Sequence, residues 1–287
     1  MATRRQARGA GLKAGTGAAG ANAGSDTGTG EPLWRRLLPP AITIGCLLAV
    51  WQLAVTAGHV SERTLASPSQ IVRSMVNTWP ELMEATSITC LETISGFIIA
   101  VAVGLLIGVG LYVSKTLNRA FYPLLVAAQT IPLITIAPLF MLWFGFEPTG
   151  KIILVAVLGL FPIAVETSRG LQAVPRYYED VALTCGATSA WTLWHVKLRV
   201  AARQIFGGVR ISAAYVFGTA VTAEYLGATN GLGIWLQAAF NSFQTPPIFS
   251  ATIVIVALTA LLLGLVSLCE YLLLGGNDRI EDIESGL

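Results

Sequence analysis

Few residues in this chain are of types that do chemistry, and their spacing limits what chemistry is open to them. Gly145-Phe-Glu-Pro-Thr-Gly150-Lys151 fills most of the phosphate-loop pattern G-x-x-x-x-G-K-[ST]. The last position is Ile152, so the hydroxyl that would ligate magnesium is missing, and no strand precedes the run. The segment reads as a turn instead, with Gly145, Pro148 and Gly150 breaking the chain and Lys151 anchoring at lipid headgroups. No nucleotide, metal or other cofactor site is therefore expected in the chain itself. The two histidines, His59 and His195, fall on opposite sides of the topology set out below and cannot share a site. Cys46, Cys90, Cys185 and Cys269 show no C-x-x-C or metal spacing, and the expectation is buried, reduced thiols. Glu92 near the outer end of one apolar segment, and Glu166 and Glu270 near the inner ends of two others, read as interfacial charges. Glu166 can pair with Arg169 at i, i+3. Glu224 stands where it can order an outer gate or face a partner.

The elements that carry these residues follow from composition. The chain has 287 residues, 54% hydrophobic and 12% charged. Its mean hydropathy is +0.67. A soluble domain carries roughly 25% charge, so a soluble enzyme and a disordered chain are both excluded, and a multi-span membrane protein is expected. A net charge of +2 gives no footing for nucleic-acid binding. About 20 apolar residues cross a bilayer, and six segments qualify: roughly 40–58, 88–113, 122–145, 150–168, 205–226 and 249–274. Lys and Arg concentrate on one side, leaving Arg63, Arg73 and Lys151 in the outer segments, which puts both termini in the cytoplasm. Residues 1–31 read as a disordered basic tail, 32–275 as the membrane domain and 276–287 as a short cytoplasmic tail.

The absence of an ionisable residue at the midplane argues against a proton-coupled carrier or a charge-ringed channel, the alternative reading of a multi-span protein. Neutral polar groups remain: Gln129, Thr130, Thr135, Tyr215, Thr219 and Thr222, on the third and fifth segments. They either line a path or hydrogen-bond between helices. Pro132 and Pro138 each interrupt the third segment. Gly104-x-x-x-Gly108 permits close helix contact in the second.

The longest inner connection, 169–204, is not of low complexity. Arg176–Cys185 can form a short helix, Gly186 a left-handed cap, and Ala190–Arg199 a second helix with Trp191, Trp194 and Leu198 on one face. Two amphipathic helices make a knob that seats in a partner's groove, or the tryptophans hold the loop at the headgroups. Asp180-Val181-Ala182-x-x-x-Gly186-x9-Val196-x-Leu198 resembles the E-A-A-x-x-x-G-x9-I-x-L-P motif of ABC importer permeases. Ala182 and Gly186 match by identity, and Arg199 in place of the final proline is the clearest departure. Leu65–Val72, Gln129–Pro132, Ala137–Gly145, and Ala223–Gly227 followed by Gly231-Leu-Gly233 resemble further signatures of the nitrate, sulfonate and taurine branch. The Gln129–Pro132 form is closest to members importing thiamine pyrimidine precursors. The resemblance implies an all-α integral membrane protein with six spans and the type I importer permease fold, in a bacterial cell membrane. It implies a second permease copy, two ATPase subunits that hold ATP and magnesium, and an extracytoplasmic substrate-binding protein. It assigns Asp180, Ala182, Gly186, Trp191, Trp194, Val196 and Leu198 to ATPase coupling. Gln129, Thr130, Pro132, Thr219 and Thr222 become candidates for the path, and Glu224, Gly231 and Gly233 for the outer gate or binding-protein contact.

Overall fold

A computed structural model describes residues 33–227 and 229–275, with backbone only at 33–37, 40 and 41. The tails expected at 1–31 and 276–287 lie outside the described residues. All described secondary structure is helical. The elements are α1 (Leu33–Ala57), α2 (Pro68–Asn77), α3 (Trp79–Val113), α4 (Lys115–Ala128), α5 (Leu133–Phe144) and α6 (Pro148–Ala173). There follow α7 (Arg176–Thr184), α8 (Ser189–Thr192), a π-helical turn (Leu193–Lys197), α9 (Leu198–Gly227), α10 (Leu232–Asn241) and α11 (Thr245–Leu274). The chain divides into two units between Leu47 and Leu48. The described part of the first is the leading stretch of α1, whose Leu38, Ile42, Ile44 and Leu47 are exposed. The second holds the rest.

In the second unit, α6 is the central helix. Its most apolar stretch is 56% buried, against 11% for α11, whose apolar surface is left for lipid or another chain. α3 packs on α6 through small residues in register. A Cβ at Gly96, Gly104 or Gly108 would strike Val155, Ile163 or Thr167, respectively. The expected Gly104–Gly108 contact is thus one part of a longer stripe that brings the two backbones together. On the other side of α6, Gly208 of α9 lies against Pro162 and Ile163, and Gly159 against Ser212. Phe97, Val155, Ile163, Ala213, Val216 and Phe217 close the core between the three helices.

The span count is refined. Four helical stretches among the described residues are long and apolar enough to cross a membrane: Trp79–Val113, Pro148–Ala173, Ser189–Gly227 and Thr245–Leu274. A fifth crossing exists if α4 and α5 are taken as one broken span, and Ile42–Ala57 is a shorter apolar helix. The third segment is not a kinked helix, because α4 and α5 meet at 105°. Gln129, Thr130 and Ile131 bond three residues back, tightening the end of α4. Pro132 then has no N–H to continue the ladder and disfavours helix at the residue before it. Pro138 sits inside α5.

The inner loop is also shorter than expected. α6 runs on to Ala173, and the second loop helix is not separate: α8, the π turn and α9 form one 39-residue apolar stretch, Ser189–Gly227. Two short helices were not expected. α2 starts at a capping box, in which Ser67 accepts from the Gln70 amide and Gln70 accepts from the Ser67 amide. α10 crosses the outer loop before α11. The cysteines are free, but Cys46, Cys185 and Cys269 are exposed and Cys90 is half-buried, so the expectation of buried thiols does not hold. Cys46 and Cys269 lie on outward faces of apolar helices, and Cys185 at the exposed end of α7.

Candidate functional site

Three places gather the chemistry-bearing residues. The first is a cavity of about 540 Å³ at the α4–α5 break. Gln129, Ile131 and Leu133 line it from the break, Leu158 and Phe161 from α6, and Tyr215, Gly218, Thr219 and Thr222 from α9. Gln129, Thr219 and Thr222 therefore come together as expected. Thr130 and Pro132 do not line it, for a physical reason. The Thr130 hydroxyl donates to the Ala127 carbonyl at 2.8 Å, and the Thr135 hydroxyl to the Pro132 carbonyl at 2.7 Å. Each hydroxyl turns back on its own helix end, adding a second bond to a carbonyl that already accepts a backbone N–H. The Thr219 and Thr222 hydroxyls donate to Tyr215 and Gly218 carbonyls, and the Tyr215 hydroxyl to the Leu158 carbonyl. Their oxygens remain available as acceptors. The Gln129 amide makes no hydrogen bond to a described residue and can both donate and accept. No charged side chain lines the cavity.

The second place is the turn between α7 and α8. α7 closes with a Schellman cap: Ala187 N–H donates to Ala182 O and Gly186 N–H to Leu183 O. Gly186 takes φ +88°, a conformation that suits glycine. The turn leaves an open apolar cleft of about 860 Å³, lined by Tyr177, Tyr178, Val181, Ala182, Gly186, Trp191 and Val196. Trp191 stacks on His195 at 4.5 Å. Of the expected coupling residues, Ala182, Gly186, Trp191 and Val196 share this cleft. Asp180 is exposed outside it, and Trp194 points elsewhere, 60% exposed. Leu198 packs inward with Leu171, Ala201 and Ile205. The π turn rotates Trp194 and Leu198 off the face that regular spacing would give them. Sequence reasoning missed the tether beneath. Lys197 donates to Glu179 of α7 at 2.5 Å and to the Tyr112 hydroxyl at the end of α3. The expected Glu166–Arg169 pair is present at 3.2 Å, and Arg210 pairs with Glu270 at 3.3 Å.

The third place corrects the reading of two charges, Lys151 and Glu92, and gives Glu224 its partners. Lys151 is no headgroup anchor: it is 3% exposed and ion-paired with Glu92, which is wholly buried. Glu224 is wholly buried too. Its carboxylate accepts from Thr89 Oγ1 and from the Gly233 N–H, both at 2.7 Å, while Thr89 Oγ1 accepts from the Leu232 N–H at 2.9 Å. These are the free amides at the N-terminus of α10, where a carboxylate is favoured. Gly231 caps α10 at φ +112°, and a side chain there would strike the Glu224 carboxyl. A side chain at Gly233 would strike the Val221 carbonyl. Glu224, Gly231 and Gly233 are thus one joint that fixes α10 on α9 and α3. In this conformation Glu224 does not reach a partner. The signal was present in the spacing of the carboxylate from the two glycines, but not the partner, Thr89, far away in sequence. No group of three or more His, Cys, Asp or Glu side chains among the described residues could hold a metal.

Comparison with known proteins agrees with this anatomy. Residues 100–273 match the family described as "Binding-protein-dependent transport system inner membrane component". A "Probable ABC transporter permease protein" of Haemophilus influenzae is 32% identical over 237 residues, covering 82% of this chain and 93% of the relative. The "Formylaminopyrimidine transport permease protein ThiX" of Halalkalibacterium halodurans is 30% identical over 239 residues, covering 83% and 95%. An inward-facing MetNI methionine ABC transporter chain superposes with TM-score 0.61 at 18% identity, covering 69% of this chain and 98% of that chain.

Proposed function

The chain belongs to the binding-protein-dependent transport system inner membrane components, as a transmembrane permease subunit of an ABC importer, and from that premise we propose how it works and what it carries. It pairs with a second copy of itself across the α4–α5 side, and the two cavities at the breaks join into the path. Two ATPase subunits seat the α7–α8 clefts on the cytoplasmic side, where both termini lie. ATP and magnesium are held and hydrolysed there, and this chain does no chemistry. A substrate-binding protein delivers the solute to the outer face. The solute is a sulfonate, taurine, nitrate or a thiamine pyrimidine precursor, and the similarity to ThiX favours the last.

One observation carries the mechanism. The helical stretch Ser189–Gly227 holds Trp191 of the cleft near one end and Thr219 and Thr222 of the cavity near the other. Twenty-eight residues at 1.5 Å separate Trp191 from Thr219 by about 42 Å. Movement of the cleft by a partner is passed to the cavity through hydrogen-bonded backbone, without a flexible joint. Lys197 adds α3 to the same movement. The buried carboxylates, which a proton-driven carrier would use, are held by Lys151, Thr89 and the α10 amides and do not line the cavity.

The test is reconstitution in proteoliposomes with an ATPase subunit and one candidate binding protein for each of the four solute classes. Uptake of one labelled solute is expected only with ATP and its binding protein together. Uptake driven by a proton or sodium gradient without ATPase subunits would overturn the reading.

A further inference from the structure

Once Lys151 is known to be buried, the basic residues of the outer segments reduce to Arg63 and Arg73. Both are exposed, and both line one depression of about 520 Å³ between the α1–α2 connection, α2 and the α10–α11 turn. Neither guanidinium makes an ion pair or hydrogen bond with a described residue. Glu62 lines the same depression, with its Oε1 accepting from Gln70 Nε2 at 2.5 Å and no ion pair to either arginine, so two guanidiniums stand there against one carboxylate. The depression is held in shape from both sides. Thr245 Oγ1 donates to the Glu62 carbonyl, tying the α10–α11 turn to the α1–α2 connection. In that turn Phe243 takes φ +53°, an unusual conformation for a bulky side chain, and its ring is 70% exposed at the rim. Strain of this kind persists where the surrounding structure imposes it, and it collects at binding surfaces.

We infer that Arg63 and Arg73, with the Phe243 ring beside them, are the seat for an acidic side chain of the substrate-binding protein. This rests on the importer reading above and moves the contact away from Glu224. Two unpaired guanidiniums in one depression match carboxylate geometry and steer an acidic partner from a distance. An aromatic beside arginine is the composition of a protein contact rather than of an ion site. A second, smaller depression on the same unit is lined by Glu81 and Glu84. Two depressions of opposite sign on one unit orient a folded protein, whereas a layer of lipid phosphates gains nothing from the acidic one.

The test uses the full transporter in nanodiscs and the binding protein that drives uptake in the reconstitution above. ATPase rate is read against binding-protein concentration for wild type, Arg63→Glu/Arg73→Glu and Arg63→Lys/Arg73→Lys. The double reversal is expected to raise the half-saturating concentration about tenfold or more, with basal ATPase and the rate at saturation unchanged. The lysine pair is expected to stay within about threefold of wild type. Raising salt from about 0.1 M to 1 M shortens screening from about 10 Å to 3 Å, so it should weaken docking for wild type and much less for the reversal. An unchanged half-saturation in the reversal overturns the assignment. So does a defect that follows the anionic lipid content of the nanodisc and not the binding protein, which would make the seat a headgroup site. If no binding protein stimulates even the wild type, the importer reading falls, and this seat with it.

Discussion

Lys151 and Glu92 lose nearly all contact with solvent, and neither Glu92 oxygen finds a hydrogen-bond donor in bonding geometry. Two charges so placed are tolerable only as a pair: removing one partner leaves an uncompensated buried charge and costs about 3–5 kcal/mol, while replacing both by apolar groups is often neutral. Lys151→Met is therefore expected to lower the thermal midpoint of the detergent-purified chain markedly. Lys151→Met combined with Glu92→Leu should recover most of it, and a double variant no better than the single would refute the pairing. Glu224→Gln is the milder change. It keeps an acceptor for one α10 amide and loses charge, so about 1–3 kcal/mol is expected from a hydrogen bond to a charged group. Loss of amide-exchange protection should begin at Leu232 and Gly233. The Glu92–Lys151 pair was not legible in the sequence. Glu92 and Lys151 lie in separate segments, and each alone has the look of an interfacial charge. Only the close packing of α3 on α6, through Gly96 and its neighbours, brings them together.

Among the elements, the segments with continuous apolar runs were legible, because the bilayer imposes a length that sequence can reveal. The interruptions were less so. Pro132 announced a break in the third segment but not its 105° turn, before which Gln129, Thr130 and Ile131 bond three residues back and close α4. Ala190–Arg199 is amphipathic enough to suggest a helix of its own, and nothing local says that it runs into α9. The π turn at Leu193–Lys197 makes the join, inserting one extra residue into the ladder. Inserting one alanine just after the π turn would instead lengthen regular helix and rotate α8 against α9 by about 100°. The expected outcome is normal insertion and an intact cavity, with Trp191 turned out of the cleft and ATPase co-purification lost. Retained co-purification would mean that the facing of α8 on α9 does not set the cleft. Gly186→Trp should also abolish co-purification and uptake, since φ +88° excludes a bulky residue at the Schellman cap.

For the molecule as a whole, the cavity and the cleft are separate places on one framework, and the proposed function predicts that they can be damaged separately. Thr219→Arg places a charge in an uncharged cavity and should cut solute uptake by at least about tenfold while ATPase co-purification persists, a buried unpaired charge being costly to the solute-filled state. Equal uptake would remove Thr219 from the path. The loss of co-purification expected for Gly186→Trp gives the converse. The signatures at Gln129–Pro132, Asp180–Leu198 and Ala223–Gly233 announced these regions from the sequence, but not their division of labour. That Thr130 braces a break while Thr219 faces a cavity, and that Glu224 holds a helix end, are facts of three-dimensional neighbourhood.

The contact of Gly208 with Pro162 and Ile163 has a mechanical meaning. It lies between Trp191 and Thr219, midway along the stretch Gln204–Ser212 over which α9 packs closely on α6, with Gly170 against Gln204 on one side and Gly159 against Ser212 on the other. A rigid rod held against a neighbour over a short stretch is a lever whose fulcrum lies within that stretch. Its input arm, Trp191 to Gly208, is about 26 Å, and its output arm, Gly208 to Thr219, about 17 Å. A tilt that swings the Trp191 end one way swings the cavity wall the other way, by about two-thirds of the distance. Opposed motion at the two ends, opening one as the other closes, is then a property of where a single glycine sits along a helix.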